Sequence, residues 1–424
     1  IGCLMAGRTV VPIPAFFSHE QQRHIAADAE IDMILSTAPD ALTASENRAV
    51  PTRCITAIPP TVTPPRTSED WRLVIYTSGT TGRPKGVRLG PRQVSASVNA
   101  LTTTIMPRRT DRYLSVLPFA LLLEQIAGIL VPLMAGIRSE IATGAAASAM
   151  TGDIVPLIRA IDRTGPGITV LVPELLEGWV AAQERRSAPP PENLRFVAVG
   201  GAAVPAGLIA RARAAGIPAY AGYGLSECCS VVAVNTPGAD RAGSVGRCLP
   251  GLAVAIVDHE IVVSGPTVMD GYLGAAPAGA RWHTGDNGHI DADGFVYVHG
   301  RRDNILVTAR GRNVNPEWIE CMLSGDPRLA RCVLCGNGLA TPRIVLVPAA
   351  GWRDWFDTAS EGDILNWIDD RCGAAPAYAR PGSFIVTSDD ALRAASCLTV
   401  AGRPDRRAIE ARHGAPEASL LVDH

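Results

Sequence analysis

A turn-rich loop between two apolar segments constrains this chain more than any other feature. The loop spans residues 76–87 and consists mainly of glycines and hydroxyl residues, with one lysine. Glycines let the backbone approach a ligand closely, and consecutive amides in such a turn form a concave site for an anion. The apolar run at 73–75 is typical of a buried strand, so the loop follows a strand, where α/β proteins bind ligands. The residues expected to surround the anion are Thr77, Ser78, Gly79, Thr80, Thr81, Gly82 and Lys85.

The loop differs from the P-loop. That motif places Gly-Lys-Ser/Thr at the start of a helix, whereas here Lys85 follows Pro84 and precedes Gly86, a poor beginning for a helix. A surface loop of small residues without a ligand is the alternative. The lysine favours the anion site, because a lysine ammonium is a point charge suited to phosphate.

Length, charge and cysteine spacing exclude several classes of protein. A chain of 424 residues is too long for one compact core and predicts two to four subdomains. The net charge of −2 argues against a nucleic-acid partner. The longest apolar stretch, residues 121–135, is interrupted by polar residues, glycine and proline, so we expect a buried helix and no transmembrane segment. The ten cysteines lack metal-site spacing, which predicts a reduced, cytoplasmic protein.

The predicted pattern of strands and helices changes twice along the chain. Up to about residue 240, short apolar strands alternate with helical stretches, which predicts parallel sheets covered by helices. Residues 243–300 carry short alternating strands between Gly, Pro and Asp turns, typical of a small antiparallel barrel or sheet. The expected fold class is α/β, with a large N-terminal domain over residues 1–300, including the small β-barrel, and a small mobile α+β C-terminal lid over 301–424.

Four further motifs follow the loop along the chain. Residues 222–227 (Gly-Tyr-Gly-Leu-Ser-Glu) end on Glu227, a hard oxygen ligand of the kind that Mg²⁺ prefers. Residues 283–286 (His-Thr-Gly-Asp) end on a second carboxylate. Gly300 and Arg301 come next, and residues 398–407 form the last motif. With the loop, these segments extend over most of the chain.

The five motifs, in this order, resemble those of the adenylate-forming superfamily of acyl-CoA synthetases, luciferases and peptide-synthetase adenylation domains. The resemblance implies binding of ATP and Mg²⁺, with the metal held by Glu227 and Thr81, and with a purine against Tyr223. It implies that Asp286 holds the ribose and that Arg301 supports it. The further nucleotide-binding residues implied are Gly201, Gly222, Gly224 and Ser226.

The resemblance also assigns residues near the end of the chain. Asp303 matches the hinge about which the lid is thought to rotate. Arg403 stands where the family has a lysine that bridges carboxylate and phosphate, and arginine keeps the charge without being interchangeable with lysine. The catalytic residues implied are Lys85, Glu227 and Arg403. In the family the element at residues 1–7 lies well inside the N-terminal domain, so we expect either a missing front end or a shortened member.

Residues 117–125 bear on the acid substrate. Amino-acid adenylation domains carry an aspartate here for the substrate ammonium, whereas Phe119 and Leu121 are apolar, and a buried ammonium without a partner is costly. The segment is similar to Leu-Pro-x-x-His-x-x-Glu-Gln of long-chain acyl-CoA synthetases, with Leu121 at the histidine position. An aliphatic acid is therefore expected, in a pocket formed by Phe119, Leu121 and Gly222. The alternative is that the leucines are core residues.

The implied reaction is ATP-dependent formation of an acyl-adenylate with release of pyrophosphate, followed by transfer to the thiol of coenzyme A. The phosphopantetheine of a carrier protein presents the same thiol, so an acyl- or aryl-acid ligase of secondary metabolism stays open. A nucleotide-binding pseudoenzyme is a third hypothesis, motivated by Arg403 and Leu121.

Overall fold

The computed structural model describes residues 1–37, 51–54, 70–77, 83–146, 153–186, 188–399 and 404–415. The strands are β1 (Thr9–Val10), β2 (Ile34–Ser36), β3 (Thr52–Cys54), β4 (Arg72–Thr77), β5 (Lys85–Leu89), β6 (Arg112–Ser115), β7 (Arg138–Ile141), β8 (Ile168–Leu171), β9 (Phe196–Val199), β10 (Ala219–Leu225), β11 (Ser230–Val234), β12 (Arg247–Cys248), β13 (Ala253–Val257), β14 (Glu260–Ser264), β15 (Gly271–Tyr272), β16 (Arg281–Ile290), β17 (Val296–Arg301), β18 (Leu306–Val307), β19 (Asn313–Val314), β20 (Leu329–Cys335), β21 (Arg343–Pro348) and β22 (Ser383–Val386).

The helices precede, separate and follow these strands along the chain. They are α1 (Gly2–Met5), α2 (His19–Asp28), α3 (Pro91–Ile105), α4 (Leu122–Glu124), α5 (Val131–Ala135), α6 (Val155–Thr164), α7 (Pro173–Glu184), α8 (Ala206–Ala214), α9 (Pro316–Leu323), α10 (Arg353–Thr358), α11 (Glu361–Arg371), α12 (Asp389–Ala394) and α13 (Arg406–His413). A π-helical segment (Gln125–Leu130) joins α4 to α5, and short 3₁₀ turns occur at Ser226–Cys228, Arg302–Asn304 and Ala377–Ala379.

A seven-stranded sheet, ordered β12-β11-β10-β9-β8-β6-β7, is the centre of the N-terminal part. Strands β7, β6, β8, β9 and β10 are parallel, and β11 and β12 continue the sheet antiparallel. All four residues of β8 are buried, as expected of a parallel strand covered on both faces. The helix-covered parallel sheet of the predicted α/β fold class is therefore confirmed.

Two smaller sheets flank the site described below. The first has the order β1-β4-β5-β15, and its strands β4 and β5 form an antiparallel hairpin. The second, β13-β14-β16-β17, is antiparallel throughout and occupies the region predicted as a barrel or sheet. It is a four-stranded sheet. Strand β12 lies in the same region of the chain and pairs with β11 of the seven-stranded sheet.

The C-terminal part has its own core. Strands β20, β21 and β22 form a three-stranded sheet, and buried residues from Leu306 to Ala379 pack against it, including Trp367 of α11. The predicted α+β texture is therefore observed. The domain boundary between residues 300 and 301 stays a prediction.

The stretch predicted as one buried helix is divided. Helix α4 passes into the π-helical segment and then into α5. Pro132 has no N–H, so the carbonyl of Gly128 loses its normal helical donor, and the Ser139 hydroxyl donates to it at 2.8 Å. Burial is also incomplete, since Leu133 and Met134 are 66% and 59% exposed. None of the described helices is both long and apolar enough to cross a bilayer.

A fully buried carboxyl group lies where α4 meets this π-helical segment. Glu124 is 0% exposed, and neither of its oxygens has a hydrogen-bond partner among the described residues. A Cβ atom on Gly128 would stand 2.2 Å from Glu124 Oε1, so the carboxyl group occupies space that only glycine leaves open. Burial raises the pKa of Glu124 to about 7, although the nearby Ser115 side chain and the backbone of Leu117 act in the opposite direction.

This raised pKa predicts a pH-dependent stability that glutamine removes. Between the ordinary pKa of 4.5 and about 7 the unfolded chain ionises Glu124 while the folded chain keeps it protonated. The wild type therefore loses unfolding free energy as pH rises through this window, by up to about 3 kcal/mol. We therefore expect the unfolding free energy of Glu124→Gln to exceed that of the wild type by a margin that grows with pH across this window. Urea unfolding at about pH 5 and about pH 8 measures the margin.

The matched control is Glu192→Gln, because Glu192 is exposed. The unfolding free energy of Glu192→Gln should differ from that of the wild type by the same amount at both pH values. A Glu124→Gln difference that does not grow with pH would show that the carboxyl group titrates normally in the folded protein.

Candidate active site

The ends of the predicted anion loop are held by a β-hairpin. Thr77 ends β4, Lys85 begins β5, and the two residues are directly paired across the hairpin. The structure thus places Lys85 at the base of the loop, at the start of a strand and not of a helix. Ser78, Gly79, Thr80, Thr81 and Gly82 lie outside the described residues.

The second motif forms the end of β10 and the turn that follows it. Tyr223 and Gly224 lie in β10, and Ser226 and Glu227 begin the 3₁₀ turn that leads into β11. Glycine is required at position 224, because a Cβ atom there would stand 1.8 Å from the carbonyl oxygen of Ser230. The tight return places Glu227 beyond the carboxyl end of β10, at the edge where parallel sheets bind ligands.

Glu227 is joined to Lys85 through a tyrosine that lies outside the sequence motifs. The Tyr272 hydroxyl donates to Glu227 Oε1 at 2.7 Å, and Lys85 Nζ lies 5.6 Å from the centroid of the Tyr272 ring. Tyr272 belongs to β15, which pairs with β5. The two predicted catalytic residues therefore share one aromatic neighbour.

Asp286 is held between a tyrosine and an arginine. Tyr223 Oη donates to Asp286 Oδ2 at 2.5 Å, and Arg301 Nη1 donates to Asp286 Oδ1 at 3.1 Å. Arg301 Nη1 also donates to the Thr284 carbonyl at 3.0 Å. Burial raises the pKa of Asp286, although Tyr223 and Arg301 act in the opposite direction. Three of the predicted nucleotide-binding residues, Tyr223, Asp286 and Arg301, are thus brought into one hydrogen-bonded group.

Strand pairing explains this group. Asp286 of β16 is directly opposite Arg301 of β17, so two motifs separated in sequence become cross-strand neighbours. Gly285 has φ +74°, and a Cβ atom there would approach Arg301 Nη2 to 3.2 Å. The Thr-Gly-Asp sequence therefore places a left-handed glycine inside β16, which leaves room for the guanidinium to reach the carboxylate.

The remaining predicted residues lie at the same sheet edge or beyond it. Gly201 follows β9 with φ +82°, and Gly222 lies in β10. Phe119 and Leu121 follow β6, which is separated from β10 by β8 and β9. Phe119 is 39% exposed, whereas Leu121 packs on the main core. Their roles as pocket residues stay predictions.

The predicted hinge lies in an exposed turn. Asp303 is exposed, in the 3₁₀ turn between β17 and β18. Its neighbours hold this turn on both sides: Arg302 donates to Glu260 Oε2 at 2.7 Å, and Asn304 donates to Glu317 of α9. Arg403 lies outside the described residues. Arg406, three residues later in the sequence, donates two hydrogen bonds to Glu320, of 2.7 and 2.8 Å.

Glu227 fits a magnesium site of one particular kind. Mg²⁺ in nucleotide enzymes is commonly held by one or two carboxylates together with substrate phosphates and waters. Oε1 of Glu227 accepts the Tyr272 hydroxyl, and no described side chain donates to Oε2. A carboxylate with one oxygen fixed and the other available, close to Lys85, matches that donor set.

Comparison with known proteins places the chain in a family. The family model described as AMP-binding enzyme matches residues 1–273. The 2-succinylbenzoate–CoA ligase of Bacillus velezensis is 33% identical over 64% of this chain and 57% of its own length. The long-chain-fatty-acid–CoA ligase FadD15 of Mycobacterium bovis is 29% identical over 71% of this chain and 60% of its own. The chain thus spans less than two-thirds of the length of these curated relatives.

A solved structure shares the fold. The o-succinylbenzoate CoA synthetase of Bacillus subtilis, in complex with the acyl-adenylate intermediate OSB-AMP, superimposes with a TM-score of 0.74, covering 91% of this chain and 80% of that one at 22% identity. This similarity confirms the predicted fold class of a large α/β domain with a small C-terminal domain. Because the family model matches more than half of the sequence, the chain belongs to the AMP-binding enzyme family.

Proposed function

We propose that this protein activates a carboxylic acid with ATP and transfers the acyl group to the thiol of coenzyme A. In the first step a carboxylate oxygen attacks the α-phosphorus of ATP, and pyrophosphate leaves. In the second step the thiolate attacks the acyl carbonyl carbon, the mixed-anhydride bond breaks, and AMP leaves. The geometry of Asp286 with Tyr223 and Arg301 is the observation that carries the proposal.

Asp286 provides the nucleotide specificity in this proposal. An ionised carboxylate accepts hydrogen bonds at both oxygens, so it suits two adjacent ribose hydroxyls. Arg301 donates to Oδ1 and offsets the cost of burying the charge. The Tyr223 hydroxyl anchors the ring next to the carboxylate, where the ring offers a face to a purine.

Lys85 and Glu227 act on the phosphates. The Lys85 ammonium stabilises negative charge on the phosphate oxygens, and Glu227 provides the carboxylate for the metal. Mg²⁺, when bound, would neutralise phosphate charge and polarise the phosphoryl group. Arg403 is proposed to bridge the acid and the α-phosphate with its forked donors, in place of the family lysine.

The substrate is proposed to be an apolar acid, and an aliphatic one is favoured. Phe119 and Leu121, which follow β6, are apolar, so neither can pair with a substrate ammonium. The similar proteins named above act on an aromatic acid and on long-chain fatty acids. Carrier-protein phosphopantetheine as the acceptor and a cytoplasmic location stay predictions.

Acid-dependent exchange between ATP and labelled pyrophosphate tests the proposal. The measurement uses the full-length native protein and a panel of fatty acids, benzoates, o-succinylbenzoate and amino acids. We expect exchange with at least one apolar acid and none with amino acids. Exchange with aryl acids alone would show that the substrate is aromatic and not aliphatic. ATP binding without exchange for any acid would reject the ligase function and favour the pseudoenzyme hypothesis.

A further inference from the structure

One short segment is bonded to both catalytic regions of the N-terminal part. The Met269 amide donates to the Glu227 carbonyl at 2.9 Å, and the Leu273 amide donates to the Gly86 carbonyl at 2.7 Å. Between these two bonds, Tyr272 is paired with Val87 of β5. The segment 269–273 therefore connects the turn that carries Glu227 to the strand that begins at Lys85.

The backbone at Gly271 makes this connection possible. Gly271 has φ +130°, and a Cβ atom there would stand 2.8 Å from the carbonyl oxygen of Ala276. Only glycine fits such a close approach of two backbone segments. The position of Tyr272 is thus fixed by backbone bonds and not by its side chain alone.

The side chain of Tyr272 is constrained from three sides. Its hydroxyl donates to Glu227 Oε1 at 2.7 Å. Its ring meets Trp282 edge to face with centroids 5.8 Å apart. Lys85 Nζ lies 5.6 Å from its centroid, within the range of a cation–π interaction.

We propose that Tyr272 is a positioning residue for nucleotide activation: its hydroxyl fixes the Glu227 carboxylate so that Oε2 is available to the magnesium–nucleotide complex, and its ring supports the Lys85 ammonium. The inference rests on the proposed function, and it adds a residue outside the motifs that predicted the site. A ligand held in one orientation before the metal arrives loses less freedom on binding, and removal of such outer partners weakens metal binding.

Two substitutions separate the hydroxyl from the ring. Tyr272→Phe keeps the ring beside Lys85 and removes the bond to Glu227, whereas Tyr272→Leu removes both. We expect Tyr272→Phe to weaken Mn²⁺ binding in the presence of ATP by about tenfold, measured by the electron paramagnetic resonance signal of free Mn²⁺. AMP binding without metal should stay within about twofold, because the Asp286 group is untouched. Tyr272→Leu should in addition weaken ATP binding at saturating metal.

The matched control is Tyr297→Phe, which removes another tyrosine hydroxyl next to a carboxylate, that of Asp291 at 3.4 Å. It should bind Mn²⁺ and ATP as the wild type does. Unchanged Mn²⁺ binding in Tyr272→Phe would overturn the proposal. Equal losses of Mn²⁺ and AMP binding, together with a lower melting temperature, would also overturn it, because they would show a merely structural role.

The two proposals fail in different measurements. Absence of acid-dependent exchange in the wild type would reject the ligase function and would leave the Mn²⁺ comparison to decide on Tyr272. If the wild type catalyses exchange and Tyr272→Phe requires the same Mg²⁺ concentration for it, the positioning role is rejected and the ligase function stands. A Mg²⁺ requirement raised about tenfold, with exchange restored at high Mg²⁺, would support it.

Discussion

Replacing Asp286 with asparagine is expected to weaken ATP binding by roughly 10- to 100-fold. The carboxylate accepts from Tyr223 at 2.5 Å and from Arg301 at 3.1 Å, and in the proposed function it also accepts from the ribose. An asparagine offers one acceptor oxygen and turns an NH₂ group towards one of these donors. Losing a hydrogen bond to a charged group costs about 1.5–3 kcal/mol, which corresponds to this range of affinity.

The experiment is a titration of ATP, and separately of AMP, by calorimetry. Asp293→Asn is the matched control, since Asp293 is an exposed carboxylate in the turn between β16 and β17 and pairs only with Arg241 among the described residues. It should bind both nucleotides normally. If Asp286→Asn bound ATP and AMP as tightly as the wild type, with an unchanged melting temperature, Asp286 would not be the ribose ligand.

The residues that the sequence could predict share a physical reason. The Thr-Gly-Asp and Gly-Tyr-Gly segments need glycine at particular positions, and such glycines can be recognised in the sequence although the residues that they contact cannot. Gly224 and Gly285 show this directly, because a side chain at either position would meet the backbone of Ser230 or the guanidinium of Arg301. Strand pairing then brings these local units together.

The residues that the sequence could not predict depend on contacts between distant segments. Tyr272 is bonded to Glu227, 45 residues earlier, and its neighbourhood has no pattern of charge or periodicity that signals the contact. In the sequence, Glu124 interrupts an apolar stretch and matches the glutamate of the Leu-Pro-x-x-His-x-x-Glu-Gln segment, and neither feature predicts that it is fully buried. Charged residues lie at the protein surface in most contexts, so the burial of one can be inferred only from the packing around it.

The C-terminal part contains a third example, with a large expected effect on stability. Asp326 is 3% exposed, its oxygens accept from Arg328 at 3.0 Å and from Trp367 Nε1 at 3.0 Å, and Oδ2 forms an ion pair with Arg371 at 2.9 Å. The Arg328 guanidinium in turn lies 4.6 and 4.7 Å from the ring centroids of Trp355 and Trp367. We call this set the tryptophan cluster, and it contains Asp326, Arg328, Trp352, Trp355, Trp367 and Arg371.

Asp326→Asn should destabilise the C-terminal part by about 3 kcal/mol, because it removes the charge of a buried carboxylate and leaves half-buried Arg328 without its counter-charge. Burial alone would raise the pKa of Asp326, but the hydrogen bonds from Arg328 and Trp367 outweigh it and lower this pKa to about 2. The carboxylate therefore stabilises the folded state above its ordinary pKa of 3.8, and this contribution is lost as pH falls towards 2. The difference between wild type and variant should be constant near neutral pH and shrink in acid.

Tryptophan fluorescence during urea unfolding measures this effect locally, since three of the seven tryptophans belong to the tryptophan cluster. The control is Asp357→Asn, which breaks the exposed pair of Asp357 with Arg353 and should cost less than about 0.5 kcal/mol. An Asp326→Asn variant as stable as this control would show that the tryptophans hold Arg328 without a carboxylate. A loss of stability that did not shrink in acid would locate the effect in packing and not in the charge of Asp326.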